Sequence, residues 1–292
     1  MINKNGETSK AAVRLSYLYI AIPFLIFALG FMRAAIAVPV ALVTAVCLFF
    51  MIKDAPALYS PPKEKKTYII MAAALIIIFI WVFFSGIGKL SFQTEDHRCR
   101  NEIFDLLVNN TWPIKYSYAD GSSLVLIYYI AFWLPAAVIG KLLGLYAGYL
   151  FQVVWAVIGI YLFFMLASAI NKKFSLTILL IFIFFSGLDI IGAVYNRMDL
   201  KIGEHLEWWT YFAQFSSFTT QLYWVFNQSL PAWIITALLY VQKNNKYLVF
   251  IVSFSLLAST LPFIGLIPFA AYFALSRKYD CGKGLLNRAK AF

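Results

Sequence analysis

The sequence predicts an all-α, polytopic membrane protein with about eight spans, from its composition, its apolar run lengths and the placement of its basic residues. Hydrophobic residues make up 62% of the 292 residues, and charged residues only 13%; the mean hydropathy is +0.79. The chain has too few polar side chains to cover the surface of a water-soluble protein. The apolar runs fit the ~20 residues of a spanning helix better than the alternating ~10-residue strands of a membrane barrel.

The net charge of +11 would suggest nucleic acid as a partner of a soluble protein. Here, however, the lysines and arginines lie in the short connections between apolar runs. Such placement is typical of cytoplasmic loops and of contacts with lipid headgroups. The sequence therefore predicts the lipid bilayer, and no nucleic acid, as a partner.

Residues 1–67 are predicted to form a two-span hairpin followed by a cytoplasmic loop. Apolar runs occupy 15–31 and 34–52, and the lysine-rich stretch after them contains Pro61 and Pro62, which break a helix. Because basic loops stay in the cytoplasm, the N-terminus is predicted to be cytoplasmic, with the protein in the plasma (inner) membrane.

Residues 68–292 are predicted to form a transmembrane core with external loops at 85–144 and 195–224. A span at 68–87 runs outward and ends in small residues, Ser85 and Gly86. A polar, mixed-charge insert follows it in an otherwise apolar chain. This first external loop is expected to carry helices that lie beside the membrane.

Residues 124–139 decide the topology downstream, because this short apolar run, interrupted by Pro135, either crosses the bilayer or lies on its outer face. We prefer the outer face, which keeps Lys172 and Lys173 in the cytoplasm. It also allows 247–275 to be a hairpin of two short spans. Runs at 145–169, 176–194 and 225–241 then supply the other spans, and the C-terminus is cytoplasmic.

The first external loop contains an acid pair, Glu95 and Asp96, beside two arginines. Adjacent carboxylates diverge, so one acid can face a cavity while the other caps a helix or pairs with Arg98 or Arg100. The apolar bilayer raises the pKa of a carboxylate at its edge, and nearby arginines lower it. This balance suits a general base, or a ligand of a divalent cation such as Mg²⁺ or Mn²⁺. The alternative interpretation is a pair of solvated loop charges.

Arg98 and Arg100 are candidate substrate-binding residues, because a guanidinium presents paired donors to phosphate oxygens. Their alternative role is anchoring at the membrane interface. His97 and His205 are the two histidines of the sequence, and both are predicted to be external and to contact substrate. Their spacing from carboxylates matches no compact ligand motif, so the sequence identifies no metal-ligating set.

A second polar stretch follows the run at 176–194. Asp189 lies so close to apolar sequence that an unpaired charge would be costly, which makes it a candidate catalytic or network residue. Its alternative role is that of a helix-end residue paired with Arg197 or with backbone. Glu207 and Trp208 are candidate substrate-binding residues, although the aromatic residues around Trp208 also fit an interfacial belt.

In layout the chain resembles the GT-C superfamily of membrane glycosyltransferases, which take a sugar from a polyprenyl-phosphate carrier on the exoplasmic side. The similar features are a span ending in small residues, the acid pair Glu95 and Asp96, the Trp112-Pro113 segment and an apolar, surface-lying helix at 124–141. The resemblance implies that the first-loop acid is the general base or helps to hold a metal.

Shorter stretches resemble a bacterial family of poorly characterised multi-span proteins, some of them labelled as candidate glycosyltransferases. They lie at 85–88, 95–97, 186–192 and 205–209. The likeness covers 68–275, and the second-loop acid would correspond to Asp189 or a neighbour. Two extra spans precede the similar part, and such enzymes usually continue for several more spans, so the resemblance implies a truncated chain or one that needs a membrane-protein partner.

The sequence thus favours an enzyme, which moves a sugar from polyprenyl phosphate to an exoplasmic acceptor of the cell envelope. Glu95 or Asp96 would remove the acceptor proton, and Arg98 or Arg100 would steady the leaving phosphate. The alternative is a non-enzymatic, flippase-like carrier of lipid-linked glycans, or a scaffold of an envelope-assembly complex. No Walker-type glycine loop or nucleophile-elbow motif is present to support nucleotide-driven or hydrolase chemistry.

Overall fold

The computed structural model describes residues 8–117, 123–186, 188–199, 206–210 and 214–289, with side chains up to residue 276. Its helices are α1 (Ala11–Phe31), α2 (Ala34–Lys53), α3 (Lys65–Phe84), α4 (Glu95–Asn109), α5 (Leu134–Leu143), α6 (Leu145–Ile170), α7 (Leu176–Phe184), α8 (Asp189–Tyr195), α9 (Phe218–Val241), α10 (Leu248–Ala258) and α11 (Thr260–Ala289). Two short antiparallel pairs join β1 (Thr8–Ser9) to β2 (Leu58–Tyr59) and β3 (Lys115–Ser117) to β4 (Ser123–Val125). The predicted helical membrane class is confirmed.

Six helical segments of the described residues are long and apolar enough to cross a bilayer. They are α1, α2, α3, α6, α9 and the segment Leu176–Tyr195, which contains α7 and α8. The predicted hairpin at 247–275 is present as α10 and the first part of α11, which are shorter apolar helices. Because neither reaches the ~20 residues of a full span, the count of eight stays a prediction.

Hydrogen bonds near Asp54 show which helix ends lie together on one side of the bundle. Asp54 Oδ2, just after α2, accepts from Lys246 Nζ at 2.8 Å and from the Tyr247 hydroxyl at 2.6 Å. Gln242, at the end of α9, donates to the hydroxyl of Tyr17 in α1 at 2.8 Å. We call this side the Asp54 end; it is the side predicted to be cytoplasmic.

The opposite side, which we call the α4 end, is covered by α4 and the loop after it. The rings of Phe31 and Trp112 stack with centroids 5.0 Å apart, which joins the end of α1 to this loop. The Phe104 ring of α4 lies 4.9 Å from the Tyr149 ring near the start of α6. These contacts place the end of α1 and the start of α6 at the α4 end; that this end is external stays a prediction.

Residues 123–143 enter the bundle from the α4 end and return to it. After β4 the chain runs inward to Phe132 and Trp133, which are each 1% exposed, and α5 then leads back along α6. Phe132 lines a small cavity with Tyr19 of α1 and Trp155 of α6, well inside both helices. The prediction of a helix lying on the membrane surface was therefore wrong for the second half of this run.

Small residues explain why this segment inserts between helices. A Cβ atom at Gly140 of α5 would lie only 3.5 Å from the Cα atom of Gly148 in α6, so the two backbones approach closely, as small residues allow in membrane bundles. Hydropathy alone identifies the run as apolar, but it does not tell whether the run crosses, lies flat or folds back.

Helix α9 is broken at Val225, whose φ and ψ are −139° and 34°. The ring centroids of Phe218 and Trp233 are 5.7 Å apart, whereas fifteen residues of straight helix would separate them by about 22 Å. The Ser229 hydroxyl likewise donates to the carbonyl oxygen of Gln221 at 3.3 Å. Residues 218–224 therefore fold back along 226–241, and the break coincides with the start of the predicted span at 225–241.

Candidate functional site

Helix α4 carries the first predicted site residues, and its start is fixed by a reciprocal cap. The Thr94 side chain accepts from the backbone N–H of His97 at 3.3 Å, and the His97 ring accepts from the backbone N–H of Thr94 at 3.4 Å. Apolar residues recur at helical spacing through Ile103, Phe104 and Leu107, which are buried. The face they define also buries polar residues of the first turns of α4.

Glu95 and Arg98 lie on the solvent-exposed face of α4. Their side chains are 85% and 68% exposed, and Glu95 Oε1 pairs with Arg98 Nη1 at 2.7 Å. Such exposed pairs hold charges in water and contribute little to stability. Of the two acids, Glu95 thus fits the alternative interpretation of a solvated charge.

Asp96 and Arg100 form a second pair that leads from the surface into the bundle. Asp96 Oδ2 accepts from Arg100 Nη2 at 3.1 Å; the Asp96 side chain is 55% exposed and that of Arg100 only 8%. The guanidinium lies 5.6 Å from the ring centroid of Phe226 in α9. Arg100 Nε and Nη1 are buried, and neither has a hydrogen-bond partner among the described residues. Two donors of a buried cation are thus left for an acceptor.

His97 ties α4 to the end of α3. Its Nε2 lies 2.9 Å from the carbonyl oxygen of Ser85, which can only accept, so Nε2 carries the proton and Nδ1 faces the Thr94 hydroxyl at 2.8 Å. Both ring nitrogens are therefore engaged by the protein, and His97 acts as a positioning residue for α4. Burial lowers its pKa, and the nearby Arg100 lowers it further, against the opposing effects of Ser85 and Asp96.

The neutral state of His97 predicts a loss of stability in acid. An unfolded chain takes up a proton near its usual pKa of about 6.5, whereas the folded chain resists protonation at this site. Stability should therefore fall as the pH decreases from about 6.5 toward the lowered pKa of the folded state. The measurement is the melting temperature in detergent at about pH 7.5 and about pH 5.5. The matched control is His97→Gln, which should show the smaller decrease; an equal decrease would remove His97 as the cause.

Gly86 makes room for this histidine and has a positive φ of 84°. A Cβ atom there would lie 2.5 Å from the carbonyl oxygen of Phe92 and 2.8 Å from His97 Nε2. Gly86→Ala is therefore expected to destabilise the protein by about 2 kcal/mol or more, because strain of about 1–2 kcal/mol adds to the collision. Thermal unfolding measures the effect. Gly265→Ala is the control, since nothing lies within 4 Å of a Cβ at Gly265; comparable losses in both variants would contradict the explanation.

The second predicted loop is organised around Asp189 and Trp209. Asp189 is 7% exposed, and its Oδ1 accepts from the indole N–H of Trp209 at 2.9 Å. Asn196 Nδ2 donates to the backbone oxygen of Trp209 at 3.1 Å, and Gly192 packs against the indole ring. Asp189 therefore belongs to a hydrogen-bond network, one of the roles that the sequence analysis considered for it. Its partner is the indole of Trp209 and not Arg197 or a backbone group.

The other predicted residues of this loop occupy different positions. Glu207 is 3% exposed, and its Oε1 accepts from the backbone N–H of Ser217 at 3.2 Å. Trp208 is 57% exposed, and His205 lies outside the described residues. The hydrogen bonds described above for Asp96 and Asp189 each stay within their own loop.

A buried asparagine, Asn227, is a residue that the sequence did not identify as part of the site. It is 0% exposed, and neither its amide nitrogen nor its amide oxygen has a partner in the described part of the chain. It follows Phe226, whose ring lies beneath Arg100, at the start of the helix after the break in α9. The available signal was a polar pair, Asn227 and Gln228, at the beginning of an apolar run.

An open groove of about 470 Å³ runs between α3, α7 and the segment 217–223. Its lining is largely apolar and includes Trp81 and Phe84 of α3, Ile183 of α7 and Tyr223. Phe84 immediately precedes Ser85, to which His97 is bonded. The groove therefore reaches the end of α3 to which α4 is bonded, although no residue of α4 lines it, and its size and apolar lining suit a hydrocarbon chain.

Within the described residues, no group of three or more His, Cys, Asp or Glu side chains is placed to hold a metal ion. Comparisons with protein-family models, with curated proteins and with solved structures found no match. The likeness to the GT-C superfamily therefore stays a prediction from the sequence.

Proposed function

We propose that the protein is a membrane glycosyltransferase that moves a sugar from a polyprenyl-phosphate donor to an exoplasmic acceptor of the cell envelope. The observation that carries the proposal is the pair formed by half-exposed Asp96 and buried Arg100, with two guanidinium donors unpartnered among the described residues. A carboxylate reachable from water beside a cation that still lacks acceptors suits a reaction between a hydroxyl and a phosphate ester.

In this proposal Asp96 removes the proton of the acceptor hydroxyl as its oxygen attacks the anomeric carbon of the donor. The bond from that carbon to the phosphate oxygen breaks, and the electron pair leaves with the phosphate, whose growing charge Arg100 stabilises. The bond between Asp96 and Arg100 fixes both groups on one turn of α4. Glu95 has no part in this step, because it points into solvent with Arg98.

A divalent cation does not fit this geometry well. Asp96 is already engaged by Arg100 at 3.1 Å, and no three-residue ligand group is present among the described residues. Arg100 therefore supplies the positive charge in the proposed reaction. The lipid chain of the donor would occupy the groove beside Trp81 and Phe84.

The proposal is tested in cells from which the protein has been deleted and then restored as wild type or as Asp96→Asn. Loss of one sugar from the surface glycan, with accumulation of its polyprenyl-phosphate donor, is expected in the deletion and in the variant. A carrier or scaffold needs no acid at this position, so full restoration by a well-expressed Asp96→Asn protein would contradict the enzyme and favour that alternative.

A further inference from the structure

We infer that Asn227 and the start of the helix after the break in α9 form the second half of a phosphate site whose first half is Arg100. This inference rests on the proposed function for the source of the phosphate, a lipid-linked donor. The recognition chemistry itself, an anion held by N–H groups, rests on the described contacts alone. It assigns Asn227 a binding role that its place in an apolar run does not suggest.

Asn227 is polar and fully buried, and its side chain has no hydrogen bond to any described residue. Its exposed fraction is 0%, and both polar atoms of its amide lack partners among the described residues. Burial of such a group without a hydrogen bond costs free energy, and native proteins rarely keep one without a reason. An incoming ligand that bonds the amide would supply that reason.

A new helix starts immediately before Asn227, on the side of the bundle where α4 lies. After the break at Val225, residues 226–241 begin a new helix, whose first backbone N–H groups have no acceptor within the helix and carry a partial positive charge. Phe226, the residue before Asn227, packs 5.6 Å beneath the Arg100 guanidinium. The same ring lies 5.0 Å from that of Phe132, in the segment that folds into the bundle. These contacts hold the helix start beside α4.

The side chains and backbone groups in this region are hydrogen-bond donors suited to an anion. Arg100 contributes Nε and Nη1, Asn227 contributes its amide nitrogen, and the helix start contributes backbone N–H groups. Donors of this kind, from a guanidinium that contacts the first ring of a helix and from that helix start itself, match the several acceptor oxygens of a phosphate. A neutral hydroxyl has no charge to stabilise in such surroundings. The site therefore selects a phosphate group, either on a lipid or free in solution.

The experiment uses the full chain in detergent and compares wild type with Asn227→Ala. The ligands are a polyprenyl phosphate, the uncharged polyprenol and inorganic phosphate, and the readouts are the dissociation constant and the melting temperature of the ligand-free protein. Asn227→Ala should weaken binding of polyprenyl phosphate by about tenfold, leave polyprenol binding unchanged, and leave the melting temperature unchanged or higher because no hydrogen bond is lost. Asn171→Ala, at the Asp54 end of α6, is the control and should bind as wild type.

Each result distinguishes this inference from the proposed function. The inference is overturned if Asn227→Ala still prefers polyprenyl phosphate over polyprenol as wild type does, or if it loses affinity equally for both lipids. Either result leaves the proposed function standing. Wild-type protein that binds both lipids equally overturns both. Binding of polyprenyl phosphate that depends on Asn227, in a protein that transfers no sugar, supports the inference and contradicts the proposed function. Binding of inorganic phosphate alone supports the site and contradicts a lipid source.

Discussion

Asp96→Asn is expected to slow sugar transfer by about 10²–10⁴-fold, the range usually lost with a general base. Asparagine keeps the shape of the side chain but cannot accept a proton from the acceptor hydroxyl. The measurement is the initial rate of transfer in membranes that contain equal amounts of each variant. Donor binding should change little, because Arg100 remains.

Glu95→Gln is the matched control, since it removes the same charge one residue away. The Glu95 side chain is 85% exposed and bonded to Arg98, so this variant should transfer sugar at the wild-type rate. Equal losses in both variants would show that net charge at the start of α4 matters, and not a base at position 96. A larger loss for Glu95→Gln would move the proposed base to Glu95.

Arg100→Gln is expected to weaken binding of polyprenyl phosphate by roughly 10- to 100-fold, because hydrogen bonds to a charged group contribute about 1.5–3 kcal/mol. Binding of the uncharged polyprenol should remain. The measurement is equilibrium binding of both lipids to the purified protein. Melting temperatures recorded alongside will show whether the variant is folded.

Arg98→Gln serves as the comparison for this prediction. Arg98 is also a positive residue of α4, but its side chain is 68% exposed, and exposed charges are screened by water and salt. Its loss should change phosphate binding little. If Arg98→Gln and Arg100→Gln weaken binding equally, the phosphate would be attracted by the general charge of the surface instead of a built site.

Hydropathy was enough to predict the helical class and the approximate place of the membrane segments. It also placed the start of a span at 225, where α9 is in fact broken, because polar residues precede an apolar run there. It did not predict that 123–143 folds into the bundle, since an apolar run that crosses and one that returns have the same composition. The close approach at Gly140 and Gly148 decides between them.

The sequence identified the acid pair, but it did not predict that the two acids differ in exposure and in ion-pair partner. Glu95 and Asp96 differ by one position, which on a helix is a rotation of about 100°, and this turns Glu95 to solvent and Asp96 toward Arg100. Residue type alone would assign Arg100 to solvent, because charged residues are rarely buried. Its spacing of three, four and seven residues from Ile103, Phe104 and Leu107 instead places it on the apolar face of α4, which is consistent with its 7% exposure.

The buried polar groups without partners suggest that the site is built at some expense of stability. Arg100 and Asn227 both keep donors that meet no acceptor in the described structure. Natural proteins tolerate such groups mainly where function needs them. The Asp189 network differs, because its carboxylate is satisfied by Trp209; this favours a structural role for Asp189 in the second loop.

The most direct test is a transfer assay with the purified wild-type chain in lipid vesicles. The vesicles would contain a polyprenyl phosphate that bears a labelled sugar, together with an envelope glycan extract as the acceptor, and the measurement is movement of label from the lipid to the glycan. The proposal predicts transfer by wild type and almost none by Asp96→Asn or Arg100→Gln. Transfer that is equal in all three proteins, or binding of the donor by wild type without any transfer, would contradict it.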